Sequence, residues 1–468
     1  METSPDRFEP FRHKMLTAGL PDLAIRKFEI YFRQLLAGLT GTIPESDIGP
    51  VRDLCDSETL TQFREAGRSA LGQAVIIKLN GGLGTSMGLD RAKVLLPAKN
   101  TYTFLDLIVR QILELRSRTG CPAPVIFMNS LNTHDDTRAH LAGYPRITSD
   151  VPLDFLQHRV PKIDAETLLP VEWPADPDLE WYPPGHGDIY SALLMTGLLD
   201  DLLSRGFRYA FVSNADNLGA VMDLDILGYF AVNGFSFLME VADRTEADKK
   251  GGHLARHETG RLTLREVAQC PPQFRTEFED IARYNYFNTN TIWLDLSRLQ
   301  KYLDAHDGIV DLPMITNLKT VDPTRPDSRR VMQLETAMGA AISVFDDAMA
   351  VRVPRSRFKP VKTCQDLLLL WSDQYLLAPD YTIVRNPSAS VSPRIALDPN
   401  YYRMIGDLLD RFPKGAPSLA ECTSLTVEGD VEFGADVQVK GEVRIVGPSM
   451  KKGRIPDGSI LENAALEL

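Results

Sequence analysis

A chain of 468 residues, 44% hydrophobic and 24% charged, has the composition of an ordinary globular protein able to bury a large core, and its length suggests about three domains. Sixty-three acidic against 51 basic side chains give a formal charge of −12, which argues against a nucleic-acid surface or an anionic membrane as partner. An anionic substrate must then be met by a few placed cations or a metal ion.

The first residues, Met1-Glu-Thr-Ser-Pro-Asp6, have neither the basic flank nor the apolar core of a secretion signal, and no apolar run reaches membrane-spanning length. A cytoplasmic protein is expected. Cys55, Cys121, Cys270, Cys364 and Cys422 are odd in number, far apart and without a Cys-x-x-Cys pair, so reduced thiols are expected rather than a disulfide framework or a zinc site. Residues 1 to about 70 read as helical, with Ile25, Phe28, Phe32, Leu35 and Leu39 forming one apolar stripe.

From Ala74 onward short apolar strands alternate with amphipathic helices. Strands are expected at 74–79, 124–129, 208–213, 235–241 and 291–295, and helices near 103–118, 187–204 and 297–304. This alternation predicts a largely parallel sheet with helices on both faces. In such sheets ligands lie at the carboxyl ends of the strands. Three segments fall at such ends: a glycine loop, Asn129-Ser130, and Asn214-Ala-Asp216.

The glycine loop is Lys78-Leu-Asn-Gly-Gly-Leu-Gly-Thr-Ser-Met-Gly88, with Gly81, Gly82, Gly84 and Gly88 following an apolar strand. Without Cβ atoms, successive N–H groups can turn toward one point and approach a phosphate closely. The pattern matches neither the kinase and GTPase phosphate loop nor the dinucleotide fingerprint. Lys93 lies just beyond it and adds a positive charge. Asp216 and Asn214 could hold Mg²⁺ and a phosphate or sugar oxygen, because Mg²⁺ often takes only one or two protein carboxylates; an Asx-turn is the structural alternative. Pro183-Pro-Gly-His-Gly-Asp188 is a rigid turn leading into a helix N-terminus, with His186 between two glycines, open to either a structural or a ligand-contacting role. Arg352-Val-Pro-Arg-Ser-Arg-Phe-Lys-Pro-Val-Lys362 gathers five cations in eleven residues, either a solvated face or an arm presenting Lys362 to a pocket.

The last seventy residues change period. Leu425, Val431, Val437 and Val443 recur every six residues, as do Val427, Phe433, Val439 and Ile445. Ile455 and Leu461 keep that spacing after an interruption at 447–453. A six-residue period predicts a short β-helix of about two coils, an antiparallel hairpin stack being the alternative.

Five motifs together closely resemble the eukaryotic-type UDP-glucose pyrophosphorylase family: Leu-Asn-Gly-Gly-Leu-Gly-Thr-Ser-Met-Gly, Met-Asn-Ser-Leu-Asn-Thr-His-Asp-Asp, Pro-Pro-Gly-His-Gly-Asp, Ser-Asn-Ala-Asp-Asn-Leu-Gly and Arg-Ser-Arg-Phe-x-Pro-Val-Lys-Thr. The resemblance covers nearly the whole chain. It implies an α/β fold with a Rossmann-like, GT-A-like mixed sheet flanked by helices and a C-terminal left-handed parallel β-helix. The implied division is an N-terminal helical segment 1–72, a catalytic nucleotide-sugar-binding domain 73–385 and the β-helix 386–468.

The implied reaction is reversible, Mg²⁺-dependent transfer of uridylyl from UTP to glucose 1-phosphate, giving UDP-glucose and pyrophosphate. By motif, Leu79, Asn80, Gly81, Gly82 and Gly84 line the nucleotide, with Lys93 on its phosphates. Met128, Gln157 and the Gly185 backbone read the uracil. His186, Asn214, Glu266, Asn288 and Asn290 face the sugar phosphate, Asp216 the metal and Lys362 the transferring phosphoryl group. The implied partners are UTP and glucose 1-phosphate; self-association through the C-terminal β-helix is the one protein contact the resemblance offers. The alternatives are a UDP-N-acetylglucosamine or broad UDP-sugar pyrophosphorylase, whose loop more often differs at Asn80 and Ser86-Met87, and a catalytically silent nucleotide-sugar sensor. Two positions depart from the pattern: Ala92, where a proline often precedes the loop lysine, and Lys359, where an apolar residue is usual.

Overall fold

The structure is a computed structural model that describes residues 6–84, 87–389 and 391–468, so Thr85 and Ser86 of the glycine loop lie outside the described residues. Its central layer is a sheet of eleven strands: β1 (Ile48–Pro50), β2 (Cys55–Asp56), β3 (Ala74–Asn80), β4 (Val125–Asn129), β5 (Asp154–Leu156), β6 (Tyr209–Asn214), β7 (Phe237–Asp243), β8 (His253–His257), β9 (Leu262–Arg265), β10 (Tyr286–Asp295) and β11 (Ala348–Arg352). The main path runs β2, β11, β7, β10, β6, β3, β4, β5, and every neighbouring pair is parallel except the two that β10 makes.

Every residue of β3 is buried. Val75, Ile77 and Leu79 join one core with Ile126 and Val212, while Ile76 joins a second core with Phe127 and Phe211. A strand covered on both faces reads as a continuous apolar run, which is why Ala74-Val-Ile-Ile stands out in the sequence. The helix expected over 103–118 forms as Phe104–Thr119, closed at its start by reciprocal Thr103 and Asp106 hydrogen bonds and at its end by Gly120 at φ +69°.

The sheet is largely parallel but mixed, as the resemblance implies: β7 reaches β10 through the antiparallel β8–β9 hairpin and not through the crossover helix that parallel neighbours require. Two expectations are modified. The helix expected over 187–204 divides into Ile189–Met195 and Leu198–Ser204, with Gly197 at φ +70° between them. The helical reading of the first seventy residues holds for α1 (Glu9–Thr17) and α2 (Asp22–Leu36) and for a short helix at Arg64–Ala70, but β1 and β2 pair with the sheet. Leu39 lies past the end of α2 and is 59% exposed, so the apolar stripe stops short of it. Phe11 and Phe32, ring centroids 4.7 Å apart, anchor these helices against Val160, Ile163 and Tyr182.

Residues 394–467 form parallel ladders. Leu425 sits opposite Val443 and Val427 opposite Ile445, eighteen residues or three six-residue steps apart, with all four side chains buried. The 447–453 interruption lengthens the next spacing, and Phe433 faces Ile455. No antiparallel pairing occurs among the described residues of this region, which removes the hairpin-stack alternative.

Candidate functional site

Because β6, β3 and β4 are parallel neighbours, their carboxyl ends open on one edge. Asn214 pairs in register with Leu79, and Asn80 with Asn129. The three segments singled out in the sequence therefore share one crevice.

The glycine loop departs from β3 there. Gly84 and Gly88 adopt φ of +63° and +74°, and a Cβ on Gly81 would lie 2.5 Å from the Gln157 amide nitrogen, so Gln157 packs directly on the loop. The Asn80 side chain turns inward: its Nδ2 donates to Asn129 Oδ1 (2.7 Å) and Thr137 Oγ1 (2.8 Å), so it stiffens the root of the loop instead of reaching the crevice. The expected uracil contact of Met128 is likewise not available to its side chain, which is 1% exposed and sits in the core under β4. Ala92, in place of the usual proline, keeps a proline-compatible φ of −54° and uses the N–H a proline would lack to bond Asp136 Oδ2 at 2.9 Å. The residue before the loop lysine is thus fixed by a hydrogen bond.

Lys93 donates from its backbone to Gly82 O and reaches Asp216 Oδ2 with its ammonium at 2.7 Å. The other carboxylate oxygen, Asp216 Oδ1, is buried and has no hydrogen-bond partner. An ionised oxygen of that kind calls for a cation or donor supplied from outside the chain. Its single carboxylate beside an open crevice fits Mg²⁺, which completes its shell with phosphate oxygens and water; among the described residues no cluster of three acidic, histidine or cysteine side chains forms a closed metal cage.

The basic run 352–362 is not a solvated face. Arg352 pairs with Asp243 and Asp56, Arg355 with Asp248, and Arg357 with the fully buried Glu240 at 2.7 Å. Lys359, the second departure, points neither into the crevice nor to solvent: it bonds Ile383 O, lies 5.0 Å from the Tyr375 ring, and burial pushes its ammonium down to about 8. Only Lys362 of the five is exposed and without a carboxylate partner at contact distance. Asn217, 2% exposed, ties this arm to the turn that carries Asp216: its Nδ2 donates to Arg357 O (3.1 Å), its Oδ1 accepts from Lys359 N (2.9 Å), and it bridges Pro360 through the backbone. Lys362 follows this tied segment by two residues past Pro360 and lies within electrostatic reach of Glu266, whose carboxyl is pushed up by burial and drawn back by that ammonium.

The remaining candidates form the other wall. Gly185 holds φ +82°, where a Cβ would lie 2.4 Å from Thr336 O, and His186 Nδ1 accepts from Met338 N at 3.0 Å. A nitrogen that accepts from an amide carries no proton, so Nε2 bears it, and burial pushes the imidazole down to about 4. His186 is therefore a neutral donor anchored to the backbone. Asn288 Nδ2 bonds Asn290 Oδ1 (2.8 Å), and a Cβ on Gly339, one residue after Met338, would lie 2.9 Å from that same Nδ2. A Cβ on Gly252 would lie 2.5 Å from the Glu266 carboxylate, and Gly252 O accepts from Asn288 N. His186, Asn288, Asn290 and Glu266 thus belong to one linked wall, and Asn214 ends β6 one residue past the Ser213–Thr291 pair that joins β6 to β10.

Sequence reasoning missed Asn217, Glu240 and Asp188 as parts of this site. Asn217 lies inside a recognised motif but shows no chemistry there; Glu240 meets Arg357 across 117 positions of sequence, a contact only the fold creates.

A glycine loop, an acidic turn and a lysine-bearing arm gathered at the carboxyl edge of a mixed α/β sheet define a nucleotidyltransferase. A family model for UTP–glucose-1-phosphate uridylyltransferase matches residues 25–440, and the chain belongs to that family. The barley (Hordeum vulgare) UTP–glucose-1-phosphate uridylyltransferase is 43% identical over 402 residues, 85% of this chain and 82% of the relative. A probable UTP–glucose-1-phosphate uridylyltransferase of Schizosaccharomyces pombe is 40% identical over 412 residues, 87% and 80% of the two chains. Among solved structures, a variant of Leishmania major UDP-glucose pyrophosphorylase in complex with UDP-glucose superposes with a TM-score of 0.93 at 41% identity, covering 100% of both chains.

Proposed function

We propose that this chain transfers uridylyl from UTP to glucose 1-phosphate, releasing pyrophosphate, by direct in-line attack of the sugar phosphate on the α-phosphorus. The observation that carries the reading is the meeting of Asp216, with one oxygen on Lys93 and the other unpartnered, and the Lys362 arm clamped beside it. A phosphate oxygen approaching a triphosphate brings two anions together, so the site must neutralise charge and hold attacking and leaving oxygens in line. A phosphate monoester loses its second proton with a pKa of about 6 and is ionised at neutral pH, so no general base is required.

In this reading the glycine loop from Leu79 to Gly84 and Lys93 hold the triphosphate, Gln157 and the Gly185 backbone orient the uracil, and neutral His186, with Asn214, Glu266, Asn288 and Asn290, holds the sugar phosphate. Lys362 meets the charge that develops where the two phosphates crowd. Asp216 would hold Mg²⁺, which when bound supplies charge neutralisation at the phosphates. Asn80 and Met128 serve from beneath, as the root of the loop and the floor of the base site.

We also read residues 394–467 as a parallel β-helix, the divisions 1–72, 73–385 and 386–468 as domains, the cytoplasm as the compartment and the β-helix end as the surface for any self-association. No helix among the described residues is long and apolar enough to cross a membrane. The test is pyrophosphate release from UTP on adding a sugar phosphate and Mg²⁺. Release is expected with glucose 1-phosphate and not with N-acetylglucosamine 1-phosphate; equal rates with both would favour the broad pyrophosphorylase, and no release would favour the sensor.

A further inference from the structure

The helix α2 reaches the uracil end of the crevice with a buried charge. Lys27, on its inward face and 6% exposed, lies with Nζ 2.9 Å from Ser191 Oγ and 3.5 Å from Asp188 Oδ1. Asp188 is 2% exposed and closes the Pro183–Asp188 turn. Its Oδ2 accepts from both the backbone N–H of His158 (2.8 Å) and the His158 ring Nδ1 (2.9 Å), while its own N–H donates to Gly185 O. One residue thus joins the two segments assigned to the base: its carboxylate holds the main chain after Gln157, and its backbone closes the turn that carries Gly185.

A glutamine amide is a poor discriminator by itself. Its oxygen and NH₂ can exchange places by a half-turn, presenting acceptor-donor to uracil or donor-acceptor to cytosine. Discrimination requires that the amide be held in one pose against a group that cannot flip, such as the Gly185 N–H, which makes no hydrogen bond among the described residues. In this structure Gln157 lies against Gly81 and donates its N–H to Asn129 O, and the residue after it, His158, is held by Asp188.

We infer that Lys27, Asp188 and His158 form a positioning network that sets nucleobase specificity, with the N-terminal helix supplying the buried partner that holds Asp188 between the two base-reading segments. The inference rests on the proposed role of Gln157. Lys27 and Asp188 touch no substrate in this account and act through Gln157 and Gly185.

Steady-state rates with UTP and with CTP, each against glucose 1-phosphate, test it on Asp188→Asn, Lys27→Met, Lys27→Arg and Gln157→Ala. The expected result is a fall of roughly tenfold or more in the UTP-to-CTP ratio of kcat/KM for Gln157→Ala, Asp188→Asn and Lys27→Met, with KM for glucose 1-phosphate changed less than about threefold. Lys27→Arg, which keeps the charge, is expected to retain most of the ratio. If Asp188→Asn fails to fold, Lys27→Met and His158→Ala carry the same expectation. A ratio that collapses in Gln157→Ala but holds in Asp188→Asn and Lys27→Met overturns the network's role alone; a ratio that holds in Gln157→Ala as well overturns the base reader and the inference with it.

Discussion

At the scale of single residues, the site separates charges that hold the protein together from charges left for the substrate. Arg352, Arg355, Arg357 and Lys359 look alike in sequence, yet each is committed to a carboxylate or a carbonyl, and Lys362 is what remains. We predict that Lys362→Ala lowers the turnover number by about ten- to a hundredfold while UTP affinity changes less, because its charge counts most where negative charge crowds; steady-state kinetics with both substrates varied would show it, and an unaltered turnover number would remove Lys362 from the reaction. Burial holds His186 down to about 4, so its imidazole is neutral around neutral pH. Activity between pH 5.5 and 8, roughly the range of an ordinary histidine, is therefore expected to show no inflection that a His186→Gln variant removes. Asn80 shows the limit of motif reading: its place in the loop motif is plain, but only the sheet register reveals that its amide points down to Asn129 and Thr137.

At the scale of elements, the parallel run β6, β3 and β4 was legible because buried parallel strands leave a continuous apolar signature and their carboxyl ends carry the polar motifs. The direction of β10 was not, since the apolar residues of Tyr286-Phe-Asn-Thr-Asn-Thr-Ile-Trp-Leu-Asp295 mark a strand without marking which way it runs. The six-residue recurrence in the C-terminal region was strong enough to predict parallel stacking, because inward-facing Leu425, Val431, Val437 and Val443 must repeat once per face. The clamp between the Asp216 turn and the Lys362 arm could not be foreseen, since it joins backbone atoms of Arg357 and Lys359 to one amide far away in sequence. Asn217→Ala leaves those groups unpaired in a buried place, at a cost of about 1–3 kcal/mol. Urea denaturation should show that loss, and turnover should fall more than UTP affinity; a variant of unchanged stability and rate would deny the clamp. Gly185→Ala forces a methyl into Thr336 O from a backbone at φ +82° and is expected to lower both stability and UTP affinity, measured by thermal unfolding and nucleotide titration.

At the scale of the whole molecule, segments from both ends of the chain support the elements that line the crevice. Met404, between the ladders' first strand and the rest, packs where a Cβ on Gly88 would lie 3.0 Å from its sulfur, and Lys27 reaches Asp188 from α2. Burial alone would raise the Asp188 carboxyl, but the Lys27 charge and the His158 hydrogen bonds outweigh it and hold it at about 2, below its ordinary 3.8. A carboxylate depressed in the folded state confers stability that is present above its unfolded pKa and lost as the pH falls through the folded one. Urea midpoints measured from about pH 5 down to about pH 2 should therefore drop more steeply for the parent than for Asp188→Asn; parallel curves would show that this carboxylate is not linked to folding.

The whole account requires one crevice in which sugar phosphate and nucleotide meet with no side chain intervening between them. The stereochemical course at the α-phosphorus tests that directly, using UTP made chiral there by a single sulfur substitution. Inversion in the UDP-glucose analogue formed is the predicted result, as one in-line displacement demands. Retention would mean two displacements and a covalent uridylyl-enzyme, and would contradict the account.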